Sequence, residues 1–440
     1  MKSLLRIAAE GSAEFDAELR RLEARGVDDL AAVEPAVRRI VDDVRAEGDA
    51  AVVRYTERFD HRRPEPLFTR SFDGEGALRR IPKHVADALA VAAERIRKFH
   101  THQRDSGFRY EEGGVTLGNR VRPVRRAGVY APGGKARYPS SVLMTAIPAK
   151  VAGVVDVVLA TPAPDDLLLA AAHLSGVTAV LDAGGAQAIA ALAFGTESVP
   201  RVDKIVGPGN LYVTAAKRLV FGHVDIDGLA GPSEILVVAD ETAKPTLIAA
   251  DLLSQAEHDE AAYPLLVTTS ADLAIAVERE LVRQLATLPR AEVARASLDA
   301  HGVALVVRSR GTLLAIADRI AAEHVALHVS EPDAAFDAIG AIGAAFVGED
   351  TPEAAGDYLA GPSHVLPTGG AVRFGSPMGV YDFVARSSYI RYSSASLAAQ
   401  APAIVGLARA EGLEAHARAV EVRLGVDSAG DRHGPSRNDG

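Results

Sequence analysis

The residues able to do chemistry fall into a few groups along a chain of 440 residues. Gln255 and His258 are three positions apart near the end of a helix-like stretch, so they share one face. That spacing suits two ligands of one metal ion. It suits equally a histidine drawn to a helix C-terminus by the helix dipole. Glu323 and His324 are adjacent at a boundary between helix-like and strand-like residues, where both can reach a cleft. Asp357 and His364 flank Tyr-Leu-Ala-Gly-Pro-Ser, a loop composition. Glu411 and His416 are five apart on the last helix-like stretch. Taken singly, each of these has a structural reading as a cap, a surface charge or a satisfied polar group. His328, inside a strand-like run, reads as a packing residue.

A second kind of chemistry is suggested by three glycine-bearing turns, Pro132–Lys135, Gly184–Gln187 and Gly207–Asn210. Tyr130, Gln187 and Asn210 stand in or beside them. Each turn follows a strand-like run and opens a helix-like one, the place where doubly wound sheets bind ligands. No G-x-G-x-x-G is present, because Gly207-Pro208-Gly209 lacks the third glycine, so the dinucleotide fingerprint itself is missing. Cysteine is absent. This excludes disulfides, cysteine-ligated zinc or iron–sulfur sites, and any thiol nucleophile. An aldehyde could not be oxidised here through a thiohemiacetal, and a metal would need His, Asp, Glu, Gln or Asn.

The elements that must position these residues alternate in a βαβ rhythm. Strands are predicted at Ala127–Ala131, Val155–Ala160, Ala179–Asp182 and Lys204–Val206, with helices at Ser140–Val154, Asp165–Leu174, Ala186–Phe194 and Leu211–Val220. The rhythm repeats with strands at Glu234–Ala239, Tyr263–Thr269, Val303–Val307 and Val325–Val329. Helices Ala243–His258, Asp272–Leu288 and Leu313–Ala322 lie between them. Two such blocks imply an α/β chain with two doubly wound parallel sheets and right-handed crossovers. Residues 14–60 and 83–103 read as helical, and Ala403–Arg423 as one C-terminal helix.

Composition sets the outer bounds. Hydrophobic residues make up 48% and charged residues 24%, which a folded globular chain matches and a wholly disordered one does not. Lys and Arg number 48 against 58 Asp and Glu, so a general nucleic-acid binder, with its basic face, is not expected. Arg6 and Glu10 interrupt the first apolar run, and no stretch reaches the length of a membrane span. The chain is therefore expected in the cytoplasm, with no membrane partner. The polar tail 426–440 is expected to be disordered.

Longer strings carry more. GVYAPGGKARYPSSVLMTAIPAKVAGV, GGAQAIAALAFGTESVPRVDKIVGPGN, GPGNLYVTAAKRLVFGHVDIDGLAGPSEILVVAD, AADLLSQAEHD, AEHVALHV, AGDYLAGPSHVLPTGG and EGLEAHARAV occur in this order. Together they closely resemble the histidinol dehydrogenase family, from about residue 30 to 425. The resemblance implies one zinc ion per subunit, held by Gln255, His258, Asp357 and His416. It implies His324 as general base and Glu323 as the residue that activates water. Ser233, His364 and Glu411 match further substrate-contacting positions, alongside the zinc ligands and His324. Tyr130, Gln187 and Asn210 match positions that contact NAD. The implied reaction takes L-histidinol through bound L-histidinal to L-histidine with two NAD, in a homodimer with shared active sites.

The resemblance also implies a division of the chain. Residues 1–24 would form an N-terminal helical arm. Residues 25–127 and 236–377 would form a first incomplete Rossmann-like domain carrying most zinc ligands, and 128–235 a second that binds NAD. Residues 378–425 would form a helical segment reaching the partner's site. The departures from the family pattern are Ala322 where Pro is usual, Ser363 where Asn is common, and the string AIGAAFVG at 341–348. They leave room for a sister enzyme acting on another alcohol, such as a sulfopropanediol. Retention of His364 and Glu411 favours histidinol. A two-domain binding protein would not need the Glu323–His324 pair, and a zinc hydrolase would yield no NADH.

Overall fold

The computed structural model of the protein describes residues 3–26, 30–133 and 137–426. Most of the expected disordered tail, and part of the Pro132–Lys135 turn, lie outside the described residues. The strands are β1 (Arg6–Ala9), β2 (Phe68–Thr69), β3 (Phe108–Glu112), β4 (Val115–Pro123), β5 (Arg126–Tyr130), β6 (Asp156–Ala160), β7 (Ala179–Leu181), β8 (Lys204–Val206), β9 (Asp225–Ile226), β10 (Glu234–Ala239), β11 (Tyr263–Thr268), β12 (Val303–Val306), β13 (His324–His328), β14 (Ala344–Val347) and β15 (Val384–Tyr392). Two compact units result. One holds residues 1–104 and 123–383, the other 105–122 and 384–440.

The larger unit contains two six-stranded sheets, ordered β1-β12-β11-β10-β13-β14 and β2-β7-β6-β5-β8-β9. In each, the first strand of its βαβ block (β10 or β5) lies at the centre and the order reverses beside it. The ligand crevice of a doubly wound sheet lies at such a reversal. Parallel strands covered on both faces read as near-continuous apolar runs, and β10 is buried at every position, apolar from Ile235 to Ala239 after Glu234. Its alternate residues enter opposite cores. Ile235, Val237 and Ala239 pack with the helices Pro245–Ala256 and Ala271–Leu285, while Leu236 and Val238 face the helices Ala13–Glu23 and Arg310–Ile320.

At the carboxyl ends of β10 and β13, one side chain ties the strand ends together. Asp240 accepts hydrogen bonds from the Thr242 N–H at 3.0 Å and from the Ser330 N–H and hydroxyl at 2.8 and 2.9 Å. In the second sheet the corresponding end is where β5 finishes at Tyr130 and β8 runs into Gly207.

Several expectations change. Residues 1–24 are not only a helical arm. β1 pairs in parallel with β12, Arg6 opposite Val303, and Leu4 and Leu5 are buried beside it. The segment 25–127, expected with 236–377, packs mainly on the other sheet. The apolar stripe Leu30, Val37, Ile40, Val41 and Val44 must be buried, and it shares a core with Val158, Leu181 and Ile189. β2 extends that same sheet, Phe68 pairing antiparallel with Leu181. The segment 378–425 is not only helical either, since β15 belongs to a three-stranded sheet with β4 and β3. The single helix expected over Ala403–Arg423 is two, Ser394–Ala410 and Glu414–Glu421, because Gly412 adopts φ +74°. Glu411 caps the first and His416 lies in the first turn of the second, both exposed. Among the described residues, no helix is long and apolar enough to cross a membrane.

Candidate active site

The amino ends of β10 and β13 bring together the acid–base residues. Glu323 and His324 enter β13 after the helix Arg310–Ile320 ends in a left-handed residue, Ala321. Because a helix following β10 runs back antiparallel to the strands, the C-terminal turn of Pro245–Ala256 delivers Gln255 to the same edge. The helix Glu353–Tyr358 adds Asp357. Gln255 is buried, whereas His258 stands just past the helix end and is exposed. The shared helical face expected for this pair is therefore a single turn, the His258 N–H donating to the Gln255 carbonyl at 3.1 Å.

The His324 imidazole is fixed by its partners. His324 is buried, and its Nδ1 lies 2.9 Å from the Glu234 carbonyl oxygen. A carbonyl only accepts, so Nδ1 carries the hydrogen and Nε2 is left with a free lone pair. The ring stacks on Phe346. Burial lowers the His324 pKa, against the opposing pull of the Asp357 charge. Glu323 accepts a hydrogen bond from the Glu234 N–H at 2.8 Å. Burial first, and then the charge of Glu234, pushes its carboxyl well above the ordinary carboxylate range, with Glu353 and Asp357 adding to the effect.

His258 Nε2 and Asp357 Oδ2 are 3.8 Å apart. His364 donates from Nδ1 to the Asp357 carbonyl at 3.0 Å, and its Nε2 lies 3.3 Å from the Ser141 hydroxyl. Ser141 is in the first turn of the helix Pro139–Ala152, which follows β5 of the other sheet. One histidine thus bridges the amino edge of the first sheet and the carboxyl end of the second. Ser233 immediately precedes β10, its carbonyl accepting from the Tyr263 N–H at 2.9 Å. Glu411 and His416 belong to the smaller unit.

Three side chains escaped sequence reasoning. Glu353 is buried, accepts from the Ser254 hydroxyl at 3.0 Å and lies 3.4 Å from His324 Nδ1. The orientation of the Gln255 amide that satisfies its neighbours has the nitrogen donating to Glu353 Oε1 at 2.7 Å and to the Glu234 carbonyl at 3.2 Å. Its oxygen then lies on the opposite side. The helical spacing of Glu353 and Asp357, four apart, is a signal that could have found it. Glu234 and Arg25 form a doubly hydrogen-bonded pair at 2.7 Å, 1% and 2% exposed. Arg25 carried no local signal. Breaking a buried pair from one side leaves a charge uncompensated, so Arg25→Met is expected to cost about 3–5 kcal/mol of stability. Thermal or denaturant unfolding of the purified variant checks this, and an unchanged transition would contradict it. His328, read as packing, is instead hydrogen-bonded to buried Asp251 at 2.8 Å.

At the carboxyl end of the second sheet, the buried Tyr130 hydroxyl accepts from the Gly185 N–H at 3.1 Å, and burial pushes its pKa up to about 12. Gln187 is buried in the first turn of the helix Gly185–Phe194, and its Oε1 has no hydrogen-bond partner. Asn210 caps the helix Leu211–Val220, accepting from the Tyr212 and Val213 N–H groups at 3.1 Å. A buried amide oxygen left open in a native fold calls for a ligand or water.

Among the described residues, no three His, Cys, Asp or Glu side chains are grouped closely enough to hold a metal ion. The chain as a whole is similar to known proteins. The family model for histidinol dehydrogenase matches residues 23–424. A histidinol dehydrogenase of Syntrophotalea carbinolica is 50% identical over 428 residues, covering 96% of this chain and 99% of that protein. One from Pseudomonas aeruginosa is 51% identical over 393 residues, covering 88% and 89%. The crystal structure of histidinol dehydrogenase from Elizabethkingia anophelis superposes with a TM-score of 0.90 at 35% identity, covering 96% of this chain and 99% of that one.

Proposed function

Because the chain belongs to the histidinol dehydrogenase family, we propose that it oxidises L-histidinol to L-histidine by way of bound L-histidinal, reducing two NAD per substrate. The observation that carries the proposal is the buried Glu323–His324 pair, with the imidazole tautomer fixed by the Glu234 carbonyl. The absence of cysteine agrees with an aldehyde step that uses activated water in place of a thiol.

The residues suit zinc. His258 and Asp357 already approach to 3.8 Å, a separation that two ligands each about 2.1 Å from one ion can span. Gln255 has its nitrogen engaged and its oxygen turned away, and oxygen is the amide's ligating atom. Within the larger unit these donors fall one short of four, and the partner subunit's His416 would complete them in a homodimer. When bound, the ion supplies a Lewis-acidic template for the imidazole and amine nitrogens of the substrate. The open Gln187 oxygen, with Tyr130 and Asn210 beside it, suits NAD, which accepts hydride when bound.

The chain's own residues do the rest. His324 Nε2 takes the alcohol proton as the first oxidation proceeds, and its lowered pKa keeps it neutral and ready. Glu323, once deprotonated, takes a proton from water so that the aldehyde can be hydrated. His324, having released its first proton to solvent, takes one again for the second oxidation. Ser233, His364 and Glu411 hold the substrate. The proposal places the reaction in the cytoplasm and in histidine biosynthesis.

The direct test is stoichiometry. Purified enzyme given limiting L-histidinol is expected to form two NADH per substrate consumed, with no free histidinal trapped by an aldehyde reagent. One NADH with released aldehyde would remove the second half of the reaction. Turnover of a sulfonated diol with none of histidinol would move the chain to a sister activity.

A further inference from the structure

The turn that carries Asn210 is held from beneath by an ion pair buried outside both sites. Lys217, on the helix Leu211–Val220, and Asp227, just past β9, have side chains 4% and 7% exposed. Lys217 Nζ donates to the Gly207 carbonyl at 2.6 Å and to Asp227 Oδ1 at 2.6 Å. The other carboxylate oxygen of Asp227 accepts from the Gly207 N–H at 2.7 Å. Both backbone polar groups of one residue are thereby engaged by the two halves of one ion pair. Gly207 needs that hold. It sits at φ +117°, and a Cβ there would lie 2.1 Å from the Tyr130 carbonyl oxygen. The end of β8 and the end of β5 are in close contact at this point, across the reversal of strand order. Any shift of Gly207 would therefore move Asn210 relative to Tyr130.

We propose that Lys217 and Asp227 are positioning residues for NAD, clamping Gly207 so that Asn210 and Tyr130 keep the spacing the nucleotide requires. This rests on the reading that the crevice of the second sheet takes the nucleotide. Stability alone gives little reason for the pair. Taking two charges out of water costs roughly what their attraction returns, and an apolar pair of similar volume often holds helix to sheet as well. An apolar pair could not hold the N–H and C=O of a left-handed turn residue at the rim of a crevice. Preorganising a site through the supporting hydrogen bonds of its backbone is the function left for the pair.

The experiment uses the full-length enzyme with NADH as fluorescent probe, together with steady-state KM values for NAD and for L-histidinol. In Lys217→Met and Asp227→Asn, the Kd for NADH and the KM for NAD are expected to rise about ten- to a hundredfold, the worth of a lost charge-assisted hydrogen bond. KM for histidinol and zinc per subunit are expected to stay at wild-type values. Because either single variant leaves a buried charge and can fold poorly, the double variant Lys217→Met/Asp227→Leu is measured beside them. It is expected to regain thermal stability without regaining NADH affinity, a split that a merely structural role would not give. Wild-type NADH affinity in the folded double variant would overturn the clamp. Gln187→Leu separates the two ideas. If it loses NADH affinity while the Lys217 variants keep theirs, only the clamp falls. If wild type and Gln187→Leu alike show no specific NADH binding, the nucleotide site falls and the clamp with it.

Discussion

Replacing His324 by alanine is expected to slow the alcohol oxidation roughly 10²–10⁴-fold, the usual worth of a positioned general base, while zinc content stays at the wild-type level. The distinction matters because the imidazole sits among metal-ligand candidates. Its Nδ1 hydrogen is committed to the Glu234 carbonyl and its Nε2 is the only remaining basic atom. Loss of zinc on His324→Ala would show it to be a ligand and would sink its assignment as base. Glu323→Gln separates the half-reactions. Single-turnover oxidation of histidinal is expected to suffer more than that of histidinol, because only the aldehyde step needs activated water. Equal slowing of both would remove the water-activating role.

The directions of the pKa shifts give these variants a pH signature. His324 is lowered by burial, so its neutral, proton-accepting form persists to more acid pH than the ordinary histidine value of about 6.5. The acid limb of the alcohol step should therefore fall below that value. Glu323 is raised by burial and by the carboxylates around it, so it gives up its proton only well above the ordinary value of about 4.3. The aldehyde step should rise with pH through that higher range, and Glu323→Gln should flatten the rise. A wild-type aldehyde step independent of pH from acid to alkaline would contradict the assignment.

The second large effect concerns assembly. His258→Ala and His416→Ala are each expected to lose zinc and, with it, nearly all turnover. Mixed in equal amounts, unfolded and refolded together, they are expected to recover about a quarter of the wild-type sites. Half of the randomly formed dimers are mixed, and in each of these one site carries both lesions and the other none. Isolation of doubly tagged mixed dimers with no activity would show that the ligand set is built within one chain. The exposure of His416 on a short helix that begins just after Gly412 is what such a reach requires.

Much of this was legible in the sequence because the decisive patterns are local. The apolar run Ile235–Ala239 of β10 and the alternation of strand and helix in each block follow from burying both faces of a parallel sheet, and those elements lie where the patterns put them. What escaped was long-range or irregular. Arg25 meets Glu234 across 209 positions, and nothing near either residue announces the other. β1 is only four residues, Arg-Ile-Ala-Ala, too short to show an alternation. The apolar stripe of residues 30–44 announced a buried helix face but not which of two similar sheets it would cover. At the C-terminus, apolar periodicity continued across Gly412 even though the backbone did not.

The hydrogen bonds of Asp240 bear on how this protein could be re-engineered. In most doubly wound folds, one would randomise the loops leaving the central strands. Here the residues leaving β10 and β13 are tied together through Asp240, Thr242 and Ser330, so altering them puts the scaffold at risk. The proposed chemistry lies at the opposite end, on residues entering those strands, Ser233 and Glu323–His324 among them. A library meant to change the alcohol belongs upstream of each strand, and the nucleotide end of the other sheet can be left untouched.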